Sequence, residues 1–182
     1  ALDFQAIFIP DSDYKAGLIA PQLAYFDVIG VYLLGTSLWN SPMLAQMAGP
    51  FLQKALFVDG FFPQSSAPQV TAFVEEYRAQ YEEDPDVWTA HAFDTASILL
   101  ELLIKYHVSS RAELREKLLQ VREYLGVTGV TTIGRAGEAL KIPFILTVRD
   151  GRIVEVGARE TEAKPERGSR ENPPISVIQP AR

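Results

Sequence analysis

The chain has 182 residues, 23 acidic against 17 basic side chains for a formal net charge of −6, and 47% hydrophobic residues. That length and apolar fraction predict one folded domain with a real core, and the acidic balance argues against a nucleic-acid binder, which needs a basic face. The absence of cysteine excludes disulfides, thiolate metal sites and a cysteine nucleophile, and two histidines, His91 and His107, are too few for a multi-histidine metal centre.

The chain opens Ala1-Leu2-Asp3 without an initiating Met, which predicts that its natural start lies upstream. Phe4 to Pro10 (FQAIFIP) predicts a buried strand, followed by the turn cluster Asp11-Ser12-Asp13 and a helix from about Tyr14 to Asp27. Leu18, Ile19, Leu23 and Phe26 share a face of that helix, Gly30 stands where a helix stop is expected, and Pro21 either kinks the helix or marks its first turn. Val31 to Gly35 is a second strand. Ser41-Pro42 is an N-cap with proline at the first helical position, opening a short helix that ends near Gly49. Ala55 to Asp59 is a third strand. A β-α-β-α-β alternation with short connections demands parallel pairing through right-handed crossovers.

The rhythm then changes. Val70 to Tyr81 is an amphipathic helix ended by Glu82-Glu83-Asp84-Pro85. Thr89 to Tyr106 is apolar nearly all round, which predicts burial on more than one side, but its glutamate and lysine make it too short an apolar run to span a bilayer. Ser110-x-x-Glu113 is a capping box for a third helix reaching about Arg122. A strand near Val130 to Ile133, a glycine-rich turn, a strand from Ile142 to Arg149, and a tight Asp150-Gly151 hairpin returning through Arg152 to Val156 follow. From Gly157 the composition shifts to Glu, Arg, Lys, Pro and Ser, read as a mobile tail in which Ile175 to Ile178 could pair as an edge strand.

Catalytic motifs are absent: the sequence holds no G-x-S-x-G, H-E-x-x-H, phosphate-binding Gly-Lys-Ser/Thr or G-x-G-x-x-G. The glycines at 126, 129, 134 and 137 have turn spacing, Glu82 to Asp86 lacks the spacing of a calcium loop, and His107 suits a helix C-terminus. Asp94 is a lone acid on an apolar helix, a costly placement that predicts a hydrogen bond to a loop backbone. No nucleophile–base pair can be assembled, so an enzyme is not expected, and no cofactor is implied.

In open α/β sheets, ligands bind beyond the carboxyl ends of the strands. Those ends carry Asp11, Ser12, Asp13 and Tyr14 after the first strand, and Thr36, Ser37, Trp39 and Asn40 after the second. Hydroxyls, a carboxylate and an aromatic are the groups of a polar small-molecule site. Asp11 and Ser12 equally suit helix capping, and both roles are compatible. Trp39, in a loop, reads as an exposed contact residue.

The succession IFIPDSDYKAGLIAPQL, VYLLGTSLWNSPML, ALFVDGFFP, VTAFVEEYRAQYEEDPDVWTAHAFDTASILLELL and LGVTGVTTIGRAGEALKIPFILTVRDGRIVEV resembles the second half of type I periplasmic binding proteins, the receptors of ABC importers for branched-chain amino acids and amides. The resemblance covers about Phe4 to Val156 and rests on the order of five segments. It implies a three-layer αβα lobe with a parallel sheet. Residues 1–86 would form most of the second ligand-binding lobe, and 87–156 the helices and strands that return to the first lobe and hinge. Most of the first lobe would precede this chain, leaving an apolar surface that favours a homodimer. The resemblance implies a periplasmic or extracytoplasmic location, with lipid anchoring through a missing N-terminus as one form. It also implies a small polar ligand, an amino acid or amide, and a membrane permease as partner. The family places a ligand-facing side chain at Asp11, Ser12 or Asp13. The loop after the second strand, where it often holds an acid for the ligand's amino group, has none here. Members resembling penicillin-binding-protein activators use the same fold as an interaction module for a cell-wall synthase, and the missing acid keeps that alternative open.

Overall fold

The computed structural model describes residues 2–157. Three strands, β1 (Ala6–Phe8), β2 (Tyr32–Gly35) and β3 (Ala55–Asp59), run parallel in sequence order. Between them lie α1 (Asp13–Tyr25) and α2 (Pro42–Ala48). After β3 come α3 (Pro68–Tyr81), α4 (Val87–Tyr106) and α5 (Arg111–Leu118). A three-stranded antiparallel sheet, β4 (Tyr124–Gly126), β5 (Gly129–Ile133) and β6 (Ala139–Ile142), follows. The chain then returns to the first sheet through β7 (Phe144–Arg149) and β8 (Arg152–Glu155), giving the order β1-β2-β3-β7-β8.

The parallel pairing expected of the first three strands is present, but the whole sheet is mixed. β7 lies antiparallel to β3, and β8 to β7. The return arrives by a direct chain crossing rather than a helical crossover, so antiparallel pairing is open to it. The strand read as Ile142 to Arg149 is broken by Pro143: Ile142 pairs with Val130 in the small sheet, and Phe144 with Asp59 in the large one. Proline cannot donate to a ladder, and here it marks the passage between the two sheets. The Asp150-Gly151 turn has both residues at positive φ (51° and 69°), the requirement of a two-residue hairpin.

Helices α1 and α2 pack together and cover one face of the large sheet. Ala16, Ala20, Leu44, Ala45 and Ala48 from the helices meet Ile9, Leu33, Ala55, Phe57, Leu146 and Val148 in a single buried cluster. Alanines on both helices allow close approach, and at Gly17 a Cβ would stand 3.2 Å from Met47. Pro21 lies inside α1, which continues past it to Tyr25. Strand alternation sends the remaining side chains to the opposite face. There Phe8, Tyr32, Val58 and Ile145 are exposed at 60, 47, 44 and 49%, so no third layer covers that face among the described residues. The αβα lobe is thus present in part.

Helix α4 starts earlier than the apolar pattern suggests because Asp86 caps it, accepting from the Thr89 amide at 2.7 Å. Its buried stripe is Ala90, Asp94, Ile98 and Leu102, at intervals of four, while Phe93, Leu100, Leu103 and Ile104 on the other side are exposed. Burial on several sides is therefore not met by the described residues. By length and composition alone α4 could cross a membrane, but its buried stripe carries a hydrogen-bonded carboxylate against the small sheet. Helix α5 is shorter than predicted. Ser110 accepts from the Glu113 amide as expected, but the helix ends at Leu118. Beyond it, Arg122 Nη1 donates to the carbonyls of Leu119, Val121 and Ile133 and holds the chain in a turn. The region read as a glycine-rich turn supplies β6 and a tight hairpin closed by Gly134 N donating to Glu138 O. The tail from residue 158, including Ile175 to Ile178, lies outside the described residues.

Candidate functional site

The carboxyl ends of β1, β2 and β3 lie side by side, and the loops beyond them form one polar rim. After β1, Asp11 is partly exposed. Its Oδ1 accepts from the Ser12 amide at 2.7 Å, and its Oδ2 from Lys15 Nζ at 3.2 Å. The Ser12 amide, and secondarily Lys15, hold its carboxyl below the ordinary value. Ser12 caps α1, its Oγ accepting from the Lys15 amide at 3.4 Å. Asp13 is the first residue of α1 and accepts from the Tyr14 amide at 2.8 Å, while Tyr14 is 55% exposed. The capping role read for Ser12 is present, and both Asp11 and Ser12 keep solvent access.

After β2 the chain makes a short 3-10 turn, Ser37–Trp39. Ser37 is exposed and Asn40 half-buried. Trp39 corrects the sequence reading: it is 0% exposed and belongs to the core, not to the solvent side of the loop. The turn folds the indole back over the end of its own strand, where a Cβ on Gly35 would fall 2.2 Å from Trp39 Cδ2. The indole also leans on Phe57, with ring centroids 6.1 Å apart. Only a glycine at 35 leaves room for it.

Sequence reasoning stopped at the first two strand ends and missed the third. Asp59 closes β3, and its carboxylate is fixed from both sides. Oδ2 accepts from Asn40 Nδ2 at 2.8 Å, and Oδ1 from the Phe61 amide at 3.3 Å. Asn40 thus ties the second rim loop to the third. Beyond Asp59, a Cβ on Gly60 would sit 3.3 Å from His91 Nε2, so the start of α4 abuts this rim. Ser65, farther along the same loop, donates to Glu155 at 2.7 Å and accepts from the Ala67 amide at 3.3 Å. Among the described residues no group of histidines and acids is placed to hold a metal ion.

Asp94, away from the rim, has the structural role expected of it. Its carboxylate is 3% exposed and accepts from the amides of Val127 and Thr128 at 2.8 and 2.9 Å, and from the Thr128 hydroxyl. Lys141 donates to Thr128 Oγ1 and stands 3.8 Å from the carboxylate. Burial pulls the Lys141 ammonium below its ordinary value, with Asp94 opposing. Burial, reinforced by the charge of Asp94, raises the Tyr124 phenol. This network docks α4 onto the β4–β5 turn.

A family model described as periplasmic binding protein matches residues 13–158. Among solved structures, the chain is similar to a protein of Rhodospirillum rubrum assigned to branched-chain amino-acid ABC transport, with 27% identity and a TM-score of 0.76 over 84% of this chain and 44% of that one. It is also similar to the branched-chain amino-acid transporter substrate-binding protein LivJ of Streptococcus pneumoniae, solved with isoleucine, with 25% identity and a TM-score of 0.53 over 85% of this chain and 46% of that one. A leucine-binding protein of Thermotoga maritima shares the fold at 24% identity and a TM-score of 0.56, covering 82% of this chain and 43% of that one. The chain thus spans less than half the length of these structures. No curated protein matches the sequence.

Proposed function

Since the chain belongs to the periplasmic binding protein family and has the type I fold, we propose that it is the second-lobe half of an extracytoplasmic receptor that binds a small polar solute, an amino acid or amide, for an ABC importer. The observation that carries this reading is the rim itself. Three adjacent strand ends present Asp11, Ser12, Ser37, Asn40 and Asp59 with solvent access, at the place where open α/β sheets take their ligands. Asp13 and Tyr14 stand at its edge. On this reading residues 1–86 supply most of this lobe's share of the cleft, the segment from 87 leads toward the other lobe and hinge, and the Pro143 crossing brings the chain back to the sheet that bears the rim. Closure of two lobes on a solute is a shift between open and closed populations, with the rim supplying contacts made only in the closed state. A membrane permease is the partner this role requires.

Thermal denaturation of the full-length gene product with a panel of amino acids and amides tests the reading. A true ligand at a hundredfold over its Kd stabilises the folded protein by about 2.7 kcal/mol, a clear rise in Tm. A panel in which no member raises the Tm would count against a solute receptor.

A further inference from the structure

We infer that Asp59 is the carboxylate that receives a protonated amine on the ligand, in place of an acid in the loop after β2. The inference rests on the receptor reading above and adds the residue that selects the ligand's charge. Three carboxylates stand at or beside the rim, and their surroundings separate them. The charge of Asp11 is answered by Lys15, which reaches Oδ2 at 3.2 Å. Asp13 sits in the first turn of α1 and is turned onto the adjacent Tyr14 amide. Asp59 is half-buried, and among the described residues no cation pairs with it. Its two oxygens each accept one neutral donor, Asn40 Nδ2 and the Phe61 amide. A carboxylate oxygen has a second lone pair, so each retains acceptor capacity after these bonds.

This arrangement fixes the carboxylate's direction without neutralising it, which is what a site for an ammonium needs: an oriented anion whose charge is unanswered until the ligand arrives. The neighbours on the inner side, Phe57 and Phe61, are buried and apolar, which lowers the local dielectric and strengthens an ion pair formed there. Asn40 comes from the loop that lacks its own acid. Through the Asn40–Asp59 hydrogen bond that loop is linked to a carboxylate supplied by the next strand.

The test is calorimetric titration of the full-length gene product with twin ligands: each of a set of L-amino acids beside the carboxylic acid of the same skeleton lacking the amine, for example L-leucine and 4-methylpentanoate. The wild-type protein is expected to bind an amine-bearing member at least about tenfold more tightly than its twin. Asp59→Asn keeps the shape and an acceptor for Phe61 N but removes the charge. It is expected to lose roughly ten- to a hundredfold in affinity for the amine and to leave the twin's affinity unchanged. The exchange Asn40→Asp with Asp59→Asn puts the carboxylate on the other member of the same hydrogen-bonded pair and is expected to restore most of that loss. A merely structural role for Asp59 would weaken both twins alike. If circular dichroism shows Asp59→Asn unfolded, the exchanged pair decides: failure to regain the preference for amines overturns the assignment. Equal binding of amines by wild type and Asp59→Asn also overturns it. So does a wild-type protein that binds only the deaminated acids, an outcome that leaves the receptor reading standing. Binding of no member at all removes both.

Discussion

Replacing Asp94 by alanine tests how helix α4 is held to the small sheet. The wild-type carboxylate accepts two backbone amides and one hydroxyl while 3% exposed. Its removal strands the Val127 and Thr128 amides in a region where Thr128 is 0% exposed and Val127 is 2% exposed. Hydrogen bonds to a charged group contribute about 1.5–3 kcal/mol each, and a buried donor left unpaired costs about 1–3. The bonds share one acceptor and water can partly refill the gap, so the sum is not additive, and a loss of about 3–5 kcal/mol is expected. Gly126→Ala reaches the same contact from the opposite side, since its Cβ would lie 2.3 Å from Asp94 Oδ2. In the double variant the shortened side chain at position 94 removes that clash. Its total cost should therefore fall below the sum of the two single costs by about 1 kcal/mol or more. Urea unfolding followed by circular dichroism gives all three values. An Asp94→Ala loss under about 1 kcal/mol, or strictly additive costs, would refute the docking role.

Trp39→Ala should destabilise by about 3–5 kcal/mol, because the indole is a fully buried core member under Gly35; a change near zero in the same assay would return Trp39 to the solvent side. Gly129→Ala should also destabilise, since the residue has φ 86° and a Cβ there would meet Ile142 O at 2.3 Å, and the variant's urea midpoint reads it directly. The Asp86 carboxyl is held below its ordinary value of 3.8, first by the Thr89 amide and then by the Thr89 hydroxyl. Its stabilising effect is thus present above that value and lost as pH falls through its lowered native pKa. NMR titration should show Asp86 titrating low, and Asp86→Asn should flatten the acid-side loss of stability; an ordinary titration would contradict the cap. The isolated chain should self-associate through the bare face of Phe8, Tyr32, Val58 and Ile145, and sedimentation at rising concentration showing only monomer would argue against it.

The legible parts of the fold were those with a local cause. The β-α-β-α-β alternation, the Ser41-Pro42 cap and the Asp150-Gly151 hairpin are each specified within a few residues, and each is present. The Asp94 bond to a loop backbone followed from the cost of burying a charge, although which loop depended on a partner 33 and 34 positions away. The side of the loop taken by Trp39 was not legible. A tryptophan beside Ser37 and Asn40 looks exposed until the glycine at 35 is seen as the space that the indole fills. Asp59 was overlooked for a related reason. Its role depends on the register that sets β3 beside β2, and on Asn40 reaching across 19 residues.

These two corrections bear on one another. With its indole buried, Trp39 pins the end of the second rim loop to the core instead of offering a surface to a ligand, so the turn that holds Ser37 and Asn40 has little freedom to move. Asn40, placed by that turn, fixes the Asp59 carboxylate at 2.8 Å. The third loop is fixed in turn by Ser65 bonding to Glu155 of β8, and the first by Ser12 capping α1 and donating its amide to Asp11. Each rim loop is therefore tied down by contacts within the described residues, before any ligand or opposite lobe is considered. A rim preorganised in this way gives up little conformational entropy when a solute arrives. On the proposed receptor reading, the free energy of binding can then go mainly into closing the lobes.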